Sequence, residues 1–174
     1  AQLNLNGTLN NPTNIVQTAT YTVTPTAGAC IGNDFTLDVT VNPAPVINDD
    51  ALTVCSNSMF NYDPSVDITN IIPAGTDYTW PLPVISANII GDAIGSNEAN
   101  VNGSLVNTSS GSETATYTVT ASSALGCAAS STFDLVVTVD PTPTIADNNT
   151  STCSDALFNY LPTDGVDIVP VGTT

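Results

Sequence analysis

No lysine, arginine or histidine occurs anywhere in the 174 residues, so every charged side chain is one of 16 acids and the formal charge is −16. Each absence removes a class of function. Without cations nothing can displace the counterions of a phosphate backbone, which excludes nucleic acid as a partner. Anionic membrane surfaces repel a chain of this charge, and no direct membrane insertion is expected. Without imidazole or amine there is no Ser-His-Asp triad, no Schiff base and no His-ligated zinc. An intramolecular isopeptide bond, which needs a lysine amine, is excluded too. Acids are themselves sparse, at 9% of the chain, and solubility falls largely to Thr, Ser and Asn. No apolar run approaches the ~20 residues of a membrane-spanning helix. A signal peptide would open with a positively charged region, and none is expected in a sequence that begins within a repeat.

What is present is repetition. TATYTVT stands at 18–24 and again at 114–120. Its flanks return as well: NGTLNN (6–11) as NGSLVN (102–107), FTLDVTVNPAPVI (35–47) as FDLVVTVDPTPTI (133–145), and VCSNSMFNYDP (54–64) as TCSDALFNYLP (152–162). The offset drifts from 96 at Tyr21/Tyr117 to 98 at Phe35/Phe133, as small loop insertions produce. The pattern is a tandem array with a period of about 98 residues. Because it starts within a repeat, the chain reads as a piece of something longer.

Within the repeat, side chains alternate with period 2. Ala115, Tyr117, Val119 and Ala121 share one face with threonines on the other, and Phe133, Leu135, Val137 and Val139 form a second inward set. Alternation rich in Thr, Val and Tyr, bounded by Gly, Asn, Ser and Pro, is the signature of half-buried strands. Seven strands are expected in residues 44–142, at 46–54, 59–63, 77–82, 86–90, 100–106, 114–121 and 132–139. That number in ~100 residues fits an immunoglobulin-like antiparallel β-sandwich. The expected fold class is all-β, with such sandwiches arranged end to end. Proline fixes φ and ends a strand ladder, so NPAP (42–45) and DPTP (140–143) mark the junctions. Residues 1–43 are then the last three strands of one unit, 44–142 a complete unit, and 143–174 the first two strands of the next. The expected core includes Trp80, Tyr21, Tyr117, Phe35 and Phe133. A lone indole on a strand is more often core than a sugar-stacking platform.

The VCS…F opening, the PAGTDYTW stretch at 73–80, the TATYTVT strand and the FTLDVTVNPAP exit resemble the PKD-like, Ig-like repeats of very large surface proteins of gliding bacteria. The resemblance implies export by the type IX route, as for gliding-motility adhesins, and an extracellular or cell-surface chain of successive modules.

Four cysteines in that setting suggest oxidation and allow three pairings within the chain. Cys55 and Cys153 fall between the first two strands of their units, and Cys30 and Cys127 between the last two. Alternating strand direction puts these turns at opposite ends of a unit, ~30 Å apart, whereas bridged Cα atoms lie within about 7 Å. A Cys55–Cys127 bond is therefore disfavoured. Bonds between neighbouring repeats, tying each junction, are expected instead, with free thiols as the alternative.

Asp49, Asp50, Asp140 and Asp147 lie beside the junctions and are weak candidates for a calcium site. Asp63, Asp67, Asp164 and Asp167 read as solvated loop acids. Otherwise no cofactor is expected. A carboxylate pair for glycoside hydrolysis has no cleft to work in, and the expectation is no enzyme. Asn6, Asn102, Asn107, Asn148 and Asn149 begin N-x-S/T triplets. The leading function is a structural repeat of an extracellular stalk or filament, its partners being neighbouring repeats of the same chain or other copies. The alternative is an adhesin module gripping surface glycan or another surface through a loop such as 91–100.

Overall fold

The computed structural model describes residues 4–91, 93–129 and 131–174. The first segment supplies β1 (Gln17–Val23), β2 (Thr26–Ala27), β3 (Cys30–Ile31) and β4 (Phe35–Val41). There follow β5 (Asp50–Cys55), β6 (Met59–Tyr62), β7 (Asp77–Trp80), β8 (Val84–Ile85) and β9 (Ile89–Ile90). Then come β10 (Gly95–Glu98), β11 (Val101–Ser104), β12 (Val106–Asn107), β13 (Glu113–Ser122) and β14 (Phe133–Asp140). The protein is all-β, as the alternation predicts.

One layer runs β10-β7-β13-β14-β5, with β8 also on β13. The other pairs β11 with β6 and β12 with β9. Neighbours are antiparallel except β5, which lies parallel to β14 with Asp50 beside Leu135 and Cys55 beside Asp140. The two inward sets read from the sequence are the heart of the core: Ala115, Tyr117, Val119 and Ala121 from β13, and Phe133, Leu135, Val137 and Val139 from β14, are all buried. Phe60 and Trp80 both meet the Tyr117 ring edge to face, with centroids 5.7 and 6.4 Å away, and Tyr78 meets Phe133 at 6.3 Å. Such pairs add to the burial of large rings. The buried cluster and the side chains packed on it all lie between Ile47 and Val139.

Trp80 is core, not a platform. Its Nε1 donates to the Ala93 carbonyl at 3.1 Å, and its ring lies so close to Gly95 that a Cβ there would be 2.3 Å from it. Only glycine admits the indole.

Several expectations differ from the structure. The strand expected at 86–90 is two, because the chain turns at Ser86–Ile89 (Ile89 N to Ser86 O, 3.1 Å) and crosses from β13 to the opposite layer. The 100–106 strand is likewise broken at Leu105. The stretch 91–100, expected to be irregular, contains β10, bulged against β7; its Asp92 lies outside the described residues. Tyr21 and Phe35, expected in a core, are 40% and 48% exposed, because no strand among the described residues lies over the inner face of β1 and β4. Residues 148–162 repeat the β5–β6 sequence without forming strands, since among the described residues no sheet stands beside them. No helix among the described residues is long and apolar enough to cross a membrane.

Candidate functional site

The features that could carry function gather at the two ends of the sandwich. At one end, the β5–β6 turn carries Cys55. Ser56 N donates to Asp140 O (2.8 Å) and the Thr142 hydroxyl to Ser56 O (3.2 Å), which fixes this turn beside the second Pro-x-Pro. At the other end, Ser123 N donates to Cys127 O (2.8 Å), and the Ser123 hydroxyl reaches Pro43 O (3.5 Å) at the first Pro-x-Pro. The ten residues of β13 separate the two ends by ~33 Å. All four cysteines are free thiols in this structure, with Cys30, Cys55 and Cys153 exposed and Cys127 partly so.

A buried asparagine braces each junction. Asn107 Nδ2 donates to Gly111 O (2.6 Å) and Val139 O (2.8 Å), while its Oδ1 accepts from the Ser109 amide and hydroxyl (2.8 and 2.9 Å). Asn11 does the same 96 residues earlier, donating to Ile15 O and Val41 O (2.8 and 2.9 Å) and accepting from Thr13 (3.1 and 2.7 Å). Each clamp ties a loop to the end of the strand that leads into Pro-x-Pro. The tips of these loops touch the next segment: Ile72 N donates to Asn14 Oδ1 (2.6 Å), and the Ser110 hydroxyl to Asp164. The sequence signal was the recurrence of this asparagine in NGTLNN and NGSLVN, read only as a glycosylation triplet at Asn107. Burial of its amide makes Asn107 unavailable for that modification, whereas Asn6, Asn102, Asn148 and Asn149 are exposed.

The acids are dispersed, and three of the four calcium candidates, Asp49, Asp50 and Asp140, accept hydrogen bonds from neighbouring groups. Asp49 accepts from Asp134 N (2.7 Å), Asp50 from Ala51 N and the Tyr62 hydroxyl (2.7 and 2.8 Å), and Asp140 from the Ser112 hydroxyl (2.6 Å). Asp50 and Asp140 sit at opposite ends of β14. Among the described residues no three His, Cys, Asp or Glu side chains gather as metal ligands. The hydroxyl and amide of Ser65 hold the Asp63 carboxyl below its ordinary 3.8, and the Thr69 amide and hydroxyl do so for Asp67. The Asn88 amide lowers Glu113 and the Ser110 hydroxyl lowers Asp164. Burial, with the adjoining Asp50 carboxylate, raises the Tyr62 phenol; burial pushes Tyr78 up to about 12.

An apolar hollow of about 210 Å³ opens on the first segment, lined by Leu5, Leu9, Tyr21, Leu37 and Val39 among others. Their counterparts by register, Val101, Leu105, Tyr117, Leu135 and Val137, are all buried.

The family model of the PKD-like domain matches residues 2–45 and 52–143. No curated protein and no solved structure matches the chain.

Proposed function

Since the chain belongs to the PKD-like domain family, we propose that it is a structural segment of a long extracellular stalk or filament, in which Ig-like sandwiches follow one another end to end. Domains of this family are typically extracellular and generally non-catalytic. Residues 44–142 are one whole module, 1–43 the closing part of the module before it, and 143–174 the opening part of the module after it. The observation that carries this reading is the confinement of the buried cluster to Ile47–Val139, while the contacts with the flanking segments lie at its two opposite ends. A module with its own core and a repeated joint at each end is suited to providing length.

In this reading the cysteines are staples between modules. Cys127 faces the module before it and would bond the cysteine of that module's first turn. Cys55 faces the module after it and would bond the cysteine of that module's last turn. Each pair of thiols loses two protons and two electrons to the extracellular oxidant. Export by the type IX route belongs to the same proposal. The glycan-gripping alternative has less behind it, since Trp80 is buried and residues 95–98 are paired in β10.

Electron micrographs of the intact surface protein test the stalk directly. Fibres with an axial repeat of ~4–5 nm, the length of one sandwich, are expected; isolated compact particles would contradict it. A non-reducing peptide map is expected to lack a Cys55–Cys127 link.

A further inference from the structure

At both joints the preceding module reaches the same backbone amide of the module that follows. At the first, Ile72 N donates to the side-chain oxygen of Asn14 (2.6 Å). The register counterpart of Ile72 is Val169, since IIPAGT (71–76) returns as IVPVGT (168–173), and the counterpart of Asn14 is Ser110, 96 residues on. At the second joint Val169 N donates to the Asp164 carboxylate (3.4 Å), and the Ser110 hydroxyl donates to the other oxygen of that carboxylate. Asparagine makes the reach in one step; the shorter serine makes it in two, through an aspartate. Different side chains thus arrive at one amide, so the amide is the fixed feature. The loop that carries it is set by its own module in both cases. Ile71 and Val46 exchange both backbone hydrogen bonds (2.8 and 2.9 Å), as Ile168 and Thr144 do (2.9 and 3.0 Å). Asn70 accepts from Asn48 N (3.0 Å) as Asp167 does from Ala146 N (2.9 Å).

The linker beside each contact has little freedom of its own. At the first joint Asn11 holds Val41 O on one side and Ile71 O holds Val46 N on the other. Only 42–45 lie between, and Pro43 and Pro45, with φ fixed by their rings, are both buried. Pro43 O accepts from the Ser123 hydroxyl as well (3.5 Å). At the second joint Ser56 N holds Asp140 O and Ile168 O holds Thr144 N, which leaves Pro141, Thr142 and Pro143, with the Thr142 hydroxyl on Ser56 O. A single tether, even a stiff one, lets a module swing about it, and motion between domains is the ordinary expectation for a small joint. A second contact set off the linker removes that swing. The buried clamps at Asn11 and Asn107 brace the loops that make it.

We propose that the amide of Ile72, and of Val169 one repeat later, is the docking point for the loop tip of the preceding module, and that this contact and the Pro-x-Pro linker together hold successive modules at one set angle. The partner that the surface fits is another repeat, offering a side-chain oxygen at the tip of an asparagine-clamped loop. Every group in the contact is present on both sides of both joints, so it does not depend on the strands that complete the outer modules. One relation repeated from module to module gives a stiff rod with a regular turn, as the per-repeat rotation does in stacked repeat proteins. This deepens the stalk reading and rests on it; a freely swinging joint would sink it while leaving the axial repeat of the intact protein untouched.

Spin labels on Thr18→Cys and Thr114→Cys, exposed register counterparts in β1 and β13, test it in the 174-residue protein with its four native cysteines changed to serine. Electron–electron distance measurement is expected to give one narrow distribution at about a module length, ~4–5 nm. Asn14→Ala, which uncaps Ile72, is expected to broaden that distribution several-fold and to abolish the protection of the Ile72 amide against hydrogen exchange. Ser110→Ala, at the other joint, is expected to leave the distribution as it was. An unchanged near-ultraviolet Trp80 signal verifies that each variant keeps the sandwich. A broad distribution before any change at Asn14, a narrow one that survives Asn14→Ala, or a broadening caused by Ser110→Ala would each overturn the proposal.

Discussion

A carboxylate in this chain finds no side-chain cation, so hydroxyls, amides and water must satisfy it. The consequence is visible throughout: Thr20 to Asp38 (2.6 Å), Thr118 to Asp134 (2.8 Å), Asn88 to Glu113 (2.7 Å), Tyr62 to Asp50 (2.8 Å). Among the described residues no buried side-chain nitrogen or oxygen is left without a partner. Asn107 is the most deeply committed of these groups. Removing its amide strands the Val139 carbonyl in the interior, so Asn107→Ala is expected to cost about 2–3 kcal/mol in urea denaturation. Asn107→Asp is expected to be worse, because it turns a carboxylate toward two carbonyl oxygens. Paired leucines test burial in the same way. Leu135 is wholly buried, and Leu135→Ala is expected to cost ~2–5 kcal/mol, whereas its counterpart Leu37 is 37% exposed and Leu37→Ala is expected to cost less than ~1 kcal/mol. The phenol of Tyr78 has its proton held more tightly in the folded state, up to about 12 against an ordinary 10.0. Its contribution is intact below pH 10 and is lost as pH rises toward 12. Tyr78→Phe should flatten that alkaline decline in a pH series of melting curves.

Elements in this chain form where a partner strand is available. VCSNSMFNYDP becomes β5 and β6, while TCSDALFNYLP forms no strand, although the left-handed turn at Asn57 recurs at Asp155. Turn geometry is local and travels with the sequence; a ladder needs hydrogen-bond partners from elsewhere in the chain. Amide hydrogen exchange at low protein concentration should therefore protect 50–55 and 59–62 strongly and leave 148–162 nearly unprotected. Equal protection would mean that the last segment is sheeted. The same division explains what could be read in advance. The strict alternation of 114–121 and 133–139 located β13 and β14 and their inward residues, because period 2 with one buried face has a single solution. The break at Ser86–Ile89, the bulged β10 and the clamp at Asn107 were not legible, since each depends on which layer the chain faces in space. Strand direction alone predicts that Cys55 and Cys127 lie at opposite ends of a unit.

For the whole molecule, charge of one sign has a simple corollary. With −16 and no opposite side chain, long-range electrostatics among side chains is repulsive, and salt can only relieve it. The melting temperature is expected to rise steadily between about 10 mM and 500 mM sodium chloride, as the screening length falls from ~30 Å to under 10 Å. A fall over that range would reveal attractive pairs that this composition does not provide. In the proposed stalk, repulsion of this kind would keep neighbouring copies apart, while threonine-rich outer faces and proline-ended strands would discourage edge-to-edge pairing.

The central claim is that residues 44–142 hold a core of their own and that the flanking segments continue from its two ends and do not fold onto it. Small-angle X-ray scattering of the reduced, dilute monomer measures this most directly. Segments in line give a radius of gyration of roughly 25–30 Å, as ~30 Å strands set one after another require. A value near 16 Å, that of a single 174-residue globule, would contradict the account.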